Sequence, residues 1–123
     1  MKTMTEKMNY VLDKMIELYS KPDTWTQHVY ARNAADESVY TYDPVACKFC
    51  ITGAIRHFTD SFCIHESPIL GRDVLNYVSD LIYETMNHDP WLEKVSIATF
   101  NDRSYRTQED VLKIIKAARQ ANS

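Results

Sequence analysis

Residues 67–86 read SPILGRDVLNYVSDLIYETM, and this stretch decides the fold class. Ser67 followed by Pro68 is typical of a helix start, because serine caps a helix and proline is tolerated at the first helical position. The apolar residues then recur at intervals of three and four, which predicts one inward helical face: Leu70, Val74, Leu75, Val78, Leu81 and Ile82. We therefore predict a helix over about residues 68–87 that packs against a hydrophobic core.

Capping signals predict three further helices. Each begins at a threonine or an aspartate that can accept a hydrogen bond from a backbone N–H of the first turn. These starts are Thr3, Asp43 and Thr107, and the predicted helices span about residues 3–20, 44–59 and 107–121. Asp89 followed by Pro90 predicts a short turn.

Two segments rich in Val, Thr and Tyr predict strands. Trp25–Arg32 and Ser38–Tyr42 lie on either side of a polar linker, so we predict a β-hairpin over about residues 25–42. Val95–Phe100 alternates apolar and small residues and is a candidate third strand. The predicted fold is therefore α+β, mainly α, in a single domain over residues 1–123.

Composition excludes several classes of function. The chain of 123 residues has only two glycines, Gly53 and Gly71, so it cannot contain a Gly-rich phosphate-binding loop. Residues 36–93 carry ten acidic and three basic residues, a net charge of −7, which argues against direct binding of nucleic acid. No apolar run is long enough to span a membrane, and the odd count of three cysteines favours a reducing cytoplasm.

Several short motifs occur in a definite order along the chain. An aromatic-Cys-x-x-Gly-Ala motif at residues 49–54 is followed by Asn-Asp at 101–102 and Arg-Thr at 106–107. Further matching positions are Trp25, Ala31, Val95–Ala98 and Val111–Leu112. In these motifs, over about residues 25–118, the chain resembles a family of small bacterial and phage proteins of unknown function. The resemblance implies a shared fold and a phage context, and it supplies no activity.

Cys50 is the candidate nucleophile. A position near a helix start lowers the pKa of a thiol, and His57 or His65, or else His28 or His88, would be the base. This arrangement predicts, as an alternative function, a small thiol-dependent hydrolase or transferase. The other interpretation is that Cys50 is a small buried residue that, beside Gly53 and Ala54, allows close helix packing.

Cys47, Cys50, Cys63 and His65 form a C-x2-C-x12-C-x-H pattern. Thiolate and imidazole ligands suit Zn²⁺, so a zinc-stabilised binding module is a second alternative. The C-x-H half is shorter than the usual ligand spacing, and packing in the core explains the cysteines better. We therefore expect no metal and no cofactor.

Two kinds of surface could bind a ligand or partner. Asn101, Asp102 and Arg106 form a polar cluster that either contacts a ligand or stabilises a turn. The candidate protein-binding residues are Tyr40 and Tyr42, on one face of the predicted hairpin, and Asp73, Asp80 and Glu84, in one stripe on the predicted outward face of the helix over 68–87. A like-charged stripe of this kind complements a basic surface on a protein partner.

The function that these observations favour is non-catalytic. We expect a small cytoplasmic protein, encoded by a phage, that binds a host protein and inhibits it as a counter-defence or host-takeover accessory. Small size, uneven charge and the lack of a convincing catalytic constellation support this expectation over the two alternatives.

Overall fold

The computed structural model describes residues 3–122, and in that range it contains five α-helices and one two-stranded antiparallel sheet. In chain order the elements are α1 (Met4–Tyr19), β1 (Ala31–Arg32), β2 (Lys48–Phe49), α2 (Ile51–His65), α3 (Pro68–Met86), α4 (Ile97–Asp102) and α5 (Gln108–Ala121). The predicted α+β, mainly α class is confirmed. No helix within the described residues is long and apolar enough to cross a membrane.

The helix starts that rest on a hydroxyl cap are confirmed. The side chains of Thr3, Ser67 and Thr107 each accept a hydrogen bond from the backbone N–H three residues further along. At Thr107 the bond is reciprocal, because the Asp110 carboxylate accepts from the Thr107 N–H at 3.1 Å. These caps place α1, α3 and α5 within one or two residues of their predicted ranges.

The predicted helix over 44–59 begins seven residues later, at Ile51. Asp43 caps a turn instead, because its carboxylate accepts from the Val45 N–H at 3.0 Å. Residues 48–49 then run extended as β2, which a continuous helix from 44 would prevent. The start of α2 is set by pairing with a distant strand, so the local Asp-Pro signal was wrong here.

The predicted hairpin over 25–42 is wrong in its pairing. β1 pairs in antiparallel register with β2, and Ser38 makes only an isolated bridge to Arg32. Phe49 is buried and lies between Trp25, in a parallel bridge, and Ala31. Burial of the Phe49 ring favours β2 as the partner, whereas Ser38–Tyr42 carries two exposed tyrosines and gains less from pairing.

The candidate strand over 95–100 is also wrong, because α4 occupies this region. The Ser96 hydroxyl accepts from the Thr99 N–H at 3.1 Å and starts the helix. Ile97 and Phe100, three residues apart, both pack against the core. That spacing buries both side chains in a helix, whereas a strand would direct them to opposite faces.

One hydrophobic core lies between the four longer helices. α2 packs along α3, and α1 packs along α5. The larger fully buried aliphatic side chains are Val11, Leu12 and Met15 of α1, Ile51 and Ile55 of α2, Val74, Val78 and Ile82 of α3, and Val111 and Ile115 of α5. Each such side chain contributes about 1.5–3 kcal/mol, so this core is the main source of stability.

Candidate functional site

A broad open groove of about 1360 Å³ lies between the helices and residues 28–43, the groove segment, which is irregular apart from β1. Besides the segment, α2, the first half of α3, and α4 line it. Its polar lining includes the side chains of His28, Tyr40, Tyr42, Arg56, Arg72 and Asp102 and the carboxylates of Asp43 and Asp60. Pockets for small molecules are typically about 300–1,000 Å³, so this groove is large and open enough for part of a macromolecule.

Gly53 brings the start of α2 directly against the groove segment. The Cys50 N–H donates to the Tyr30 carbonyl at 3.2 Å, and a Cβ at position 53 would overlap that same carbonyl. Any larger residue at 53 would push the Tyr30 backbone away from α2. Gly71 has the same role between α3 and α2, because a Cβ there would overlap the sulfur of Cys63.

Cys50 is the N-cap of α2. Its sulfur accepts a hydrogen bond from the Gly53 N–H at 3.2 Å, and its side chain is buried. Burial raises the pKa of the Cys50 thiol, and this effect exceeds the lowering by the Gly53 N–H. The thiol is therefore protonated at neutral pH, in contrast with the lowered pKa that its position at a helix start predicts by itself.

None of the histidines proposed as a base shares a hydrogen bond with Cys50 within the described residues. His57 Nδ1 lies 2.8 Å from the carbonyl oxygen of Thr41, and its ring packs 4.6 Å from the Phe49 ring. His65 is exposed at the last residue of α2, about 20 Å along the helix from the cap. His28, which lies beside Asp102, lines the same groove as Cys50, but it shares no hydrogen bond with the thiol within the described residues, so no nucleophile–base pair is assembled there.

The proposed zinc ligands are not brought together. Cys47 is exposed, Cys50 is buried in the N-cap, and Cys63 is half-buried against Gly71. Over residues 3–122, no group of three or more His, Cys, Asp or Glu side chains is placed to hold a metal ion. The zinc-module alternative thus has no geometric support in this part of the chain.

Asn101 joins three distant parts of the chain. Its Oδ1 accepts from the Trp25 indole N–H at 2.8 Å and from the Ile51 N–H at 3.1 Å, and its Nδ2 donates to the Thr26 carbonyl at 3.1 Å. The residue is 2% exposed. These bonds occupy the amide internally, so Asn101 positions the groove walls and is not itself open to a ligand.

Asp102 faces the groove and holds His28. Its Oδ1 accepts from the His28 backbone N–H at 3.0 Å, and its Oδ2 lies 3.8 Å from His28 Nδ1. His28 adopts a left-handed backbone with φ of 72°, a conformation in which His, Asn and Asp are the enriched non-glycine residues. The Asn101–Asp102 pair thus fixes the position and the backbone conformation of His28, at which the groove segment begins.

Arg106, the third member of the predicted polar cluster, lies elsewhere. Its Nε donates to the Phe100 carbonyl at 2.8 Å, and its guanidinium carbon lies 3.6 Å from the centre of the Phe100 ring. Arg106 does not line the groove. It connects α4 to the start of α5.

Exposed tyrosines border the groove. Tyr40 and Tyr42 are 71% and 70% exposed, and their rings stack with centroids 5.2 Å apart and an interplanar angle of 4°. The Arg56 guanidinium lies 4.9 Å from the Tyr30 ring centre. Within the described residues, neither Arg56 nor Arg72 has a carboxylate within 4.0 Å. Aromatic rings and two guanidinium groups therefore lie along one groove. Burial raises the pKa of Asp60, which also lines the groove, and the charge of Arg56 offsets part of that rise.

The predicted acidic stripe lies on α3. Asp73, Asp80 and Glu84 are all exposed, and none forms an ion pair in the described portion of the chain. None of them lines the groove, which takes its α3 residues from the face that carries Arg72 and Leu75. The structure therefore separates the tyrosines and the acidic stripe into two surfaces.

Two polar residues that support the site were missed in the sequence. The buried Tyr19 hydroxyl lies 3.0 Å from the carbonyl oxygens of both Phe49 and Cys50. Gln108 Nε2 donates to the Tyr19 carbonyl at 3.0 Å and to the Lys21 carbonyl at 2.6 Å. Their partners lie 30 or more residues away, so neither a helical period nor a cap reveals them. The only signal in the sequence was that Tyr19 lies on the apolar stripe of α1, where a buried hydroxyl needs a hydrogen-bond partner.

A comparison with known families matches nearly the whole chain. The family described as "Family of unknown function (DUF6197)" matches residues 4–121. No curated protein and no solved structure matches the chain. Because the match covers all five helices and both strands, the chain belongs to this family of unknown function.

Proposed function

We propose that the protein acts by binding a protein partner in the groove, with Tyr40 and Tyr42 as its main contacts. The observation that carries this proposal is the stacked, exposed tyrosine pair at the edge of the groove. Tyrosine is enriched among the residues that dominate binding energy, because it offers a large rigid surface and loses little conformational entropy. Here the two rings are held side by side before a partner arrives.

The two arginines of the groove support the same proposal. Arg is enriched at interfaces together with Tyr, and an exposed guanidinium, as at Arg56 and Arg72, can bind a carboxylate or a backbone carbonyl of a partner. Arg56 already lies against the Tyr30 ring, which limits its motion. A partner segment in the groove would meet both aromatic surface and hydrogen-bond donors.

The state of Cys50 favours binding over thiol catalysis. A nucleophilic cysteine needs a thiolate, and burial raises the pKa of this thiol. Its sulfur also accepts a hydrogen bond from the Gly53 N–H, so the side chain has a structural role as the N-cap of α2. The thiol-dependent hydrolase or transferase is the less supported proposal.

The resemblance to phage proteins supports a more specific proposal about the partner, namely that it is a host protein. A phage-encoded protein of this kind would act in the host cytoplasm, where it would bind a host protein and inhibit it. A small fold with a broad groove suits blocking a surface, since inhibition by occlusion needs binding and no chemistry.

A capture experiment tests the groove as the binding site. The tagged protein, the Tyr40→Ala/Tyr42→Ala double variant and the control Tyr105→Ala are incubated with a lysate of the cells in which the gene acts. Tyr105 is a matched control because it is 69% exposed and does not line the groove. Retained proteins are quantified by mass spectrometry.

We expect a protein that the wild type and Tyr105→Ala retain equally and that the double variant retains about tenfold less. Equal retention by all three proteins, or no specific protein at all, contradicts binding through the tyrosine pair. Circular dichroism of each variant confirms that the fold is intact.

A further inference from the structure

The loop between α3 and α4 presents two large apolar side chains to solvent. Trp91 is 92% exposed and Leu92 is 68% exposed, and they are neighbours in the chain. Exposed tryptophan is uncommon on a protein surface, and tryptophan is the residue most enriched among those that dominate binding energy. Neither side chain lines the groove.

Asn87 closes this loop at its base. Its Nδ2 donates to the Val95 carbonyl at 2.9 Å, and its Oδ1 accepts from the Val95 N–H at 2.8 Å. The same Nδ2 lies 2.8 Å from the Tyr83 carbonyl of α3. The loop is therefore anchored to the helix, and Trp91 lies no further than about 14 Å from Asn87.

A turn holds the tip of the loop. The Asp89 carboxylate accepts from the Trp91 N–H at 2.9 Å, and the Asp89 carbonyl accepts from the Leu92 N–H at 3.3 Å. Pro90 between them fixes its own φ. A partner that buries Trp91 thus has little backbone to order, which lowers the entropic cost of binding.

The charge around these residues defines the kind of partner. Residues 80–94 contain four acidic residues, Asp80, Glu84, Asp89 and Glu93, and one basic residue, Lys94, so their net charge is −3. Asp80 and Glu84 are exposed in the last turns of α3, directly before the loop. Tyr77, 53% exposed, precedes Asp80 by three residues and so lies on the same helix face.

We propose that Trp91 and Leu92 dock onto an apolar patch of a protein partner that is flanked by Lys and Arg side chains. The apolar pair supplies the buried area, and the exposed carboxylates of Asp80, Glu84 and Glu93 complement the basic side chains of the partner. The same carboxylates repel nucleic acid and anionic lipid, which excludes those surfaces as the occupant. None of the residues on which this proposal rests, Tyr77, Asp80, Glu84, Trp91, Leu92 and Glu93, lines the groove, so the groove and the Trp91 loop can be tested independently.

A random-peptide display library, selected on the full-length protein, tests the proposal. Selected peptides are synthesised, and their affinities are measured by tryptophan fluorescence for the wild type and by calorimetry for every variant. The variants are Trp91→Ala, Glu84→Lys/Glu93→Lys and, as controls, Tyr105→Ala and Tyr40→Ala/Tyr42→Ala. All the substituted side chains are exposed, so the fold should persist, and circular dichroism checks that it does.

We expect peptides in which an apolar residue is flanked by Lys or Arg. Their affinity should fall about tenfold or more in Trp91→Ala and in the charge reversal, and stay unchanged in both controls. It should also fall as NaCl rises from about 0.05 M to about 0.5 M, because exposed charges are then screened.

Several results overturn the proposal. The absence of any peptide whose affinity falls in Trp91→Ala, or such peptides without net positive charge, would each contradict it. A dimer of the wild type that dissociates in Trp91→Ala, seen by sedimentation, would show that the occupant is a second copy of this chain instead. Loss of peptide binding in Tyr40→Ala/Tyr42→Ala alone would assign the peptides to the groove.

Discussion

A single buried amide, that of Asn101, sets the geometry of the groove at the scale of residues. It connects Trp25, Thr26 and the first residue of α2, Ile51, which are separated by 50 or more positions from it. Each of these bonds satisfies a polar group that is otherwise removed from water. The groove therefore depends on one side chain that a ligand does not need to touch.

Replacing Asn101 with Ala leaves the Trp25 indole N–H and the Ile51 N–H without their acceptor. Each buried unsatisfied group costs about 1–3 kcal/mol, so we expect the free energy of unfolding to fall by about 2–4 kcal/mol. Urea denaturation followed by circular dichroism measures this change. A loss below about 1 kcal/mol would contradict the role of Asn101 as a connector.

Cys50 is expected to behave as a cap and not as a nucleophile. Cys50→Ser keeps an acceptor for the Gly53 N–H and should stay within about 1 kcal/mol of the wild type, since serine is a favoured N-cap. Cys50→Ala removes the acceptor and should cost about 0.5–2 kcal/mol. The two variants are compared by thermal and urea denaturation. If the serine variant is less stable than the alanine variant, the cap assignment is wrong.

Two buried acids give the fold a dependence on alkaline pH. Burial raises the pKa of the Cys50 thiol above its ordinary 9.0 and that of the Tyr19 hydroxyl well above 10.0. As the pH rises past these ordinary values, the unfolded chain loses both protons while the folded chain keeps them. The free energy of unfolding should therefore decrease between about pH 8.5 and about pH 10.5.

The test of this pH dependence compares the wild type with Cys50→Ser/Tyr19→Phe by urea denaturation across that range. The double variant has neither titrating group, so its stability should fall less steeply with pH. Parallel pH profiles for the two proteins would show that these groups ionise equally in the folded and unfolded states.

At the scale of elements, signals within one turn of a helix were sufficient wherever a hydroxyl forms the cap. Thr3, Ser67 and Thr107 start α1, α3 and α5 as predicted, because the cap and its N–H partner lie three residues apart. The starts of α2 and α4 were missed. At α2 a cysteine takes the cap, and at α4 the alternation of VSIATF suggested a strand although Ser96 is a cap.

Substitution of Gly53 tests whether the close contact between α2 and the groove segment is rigid. Alanine at this helical position gains up to about 1 kcal/mol in helix propensity, but its Cβ would overlap the Tyr30 carbonyl. We expect the overlap to dominate and Gly53→Ala to lose about 1–3 kcal/mol. Urea denaturation shows directly whether the free energy of unfolding of Gly53→Ala is lower or higher than that of the wild type. A more stable Gly53→Ala would mean that the segment moves away from α2 easily, and that the groove wall is not fixed there.

At the scale of the whole molecule, the helical core positions the groove segment, which forms one side of the groove. Segment 28–43 contacts the helices through a few specific bonds, which include Cys50 to Tyr30, Asp102 to His28, and His57 to Thr41. These bonds leave Tyr40 and Tyr42 exposed at the groove edge. The fold class follows from local periodicity and caps, whereas the groove depends on pairs of residues that lie far apart in the sequence.

This difference explains which parts of the site could be predicted. Cys50, Gly53 and Asn101 stood out as motif residues, yet their shared task of fixing Tyr30 and Trp25 appears only once the chain is folded. The tyrosine pair was placed on a hairpin that does not form, although both residues are exposed together. The residue types indicated which side chains would matter, whereas no local sequence pattern indicated which distant segments would pair.

Site-specific photo-crosslinking tests the central claim, that the groove edge contacts a protein partner, most directly. A benzophenone amino acid replaces Tyr42 in one protein and, as the matched control, Tyr105 in another, and both are irradiated in the cells in which the gene acts. The account predicts that position 42 crosslinks to a defined protein and that the crosslink disappears when unlabelled wild type is in excess. Crosslinks to the same protein from both positions, or from position 105 alone, would contradict it.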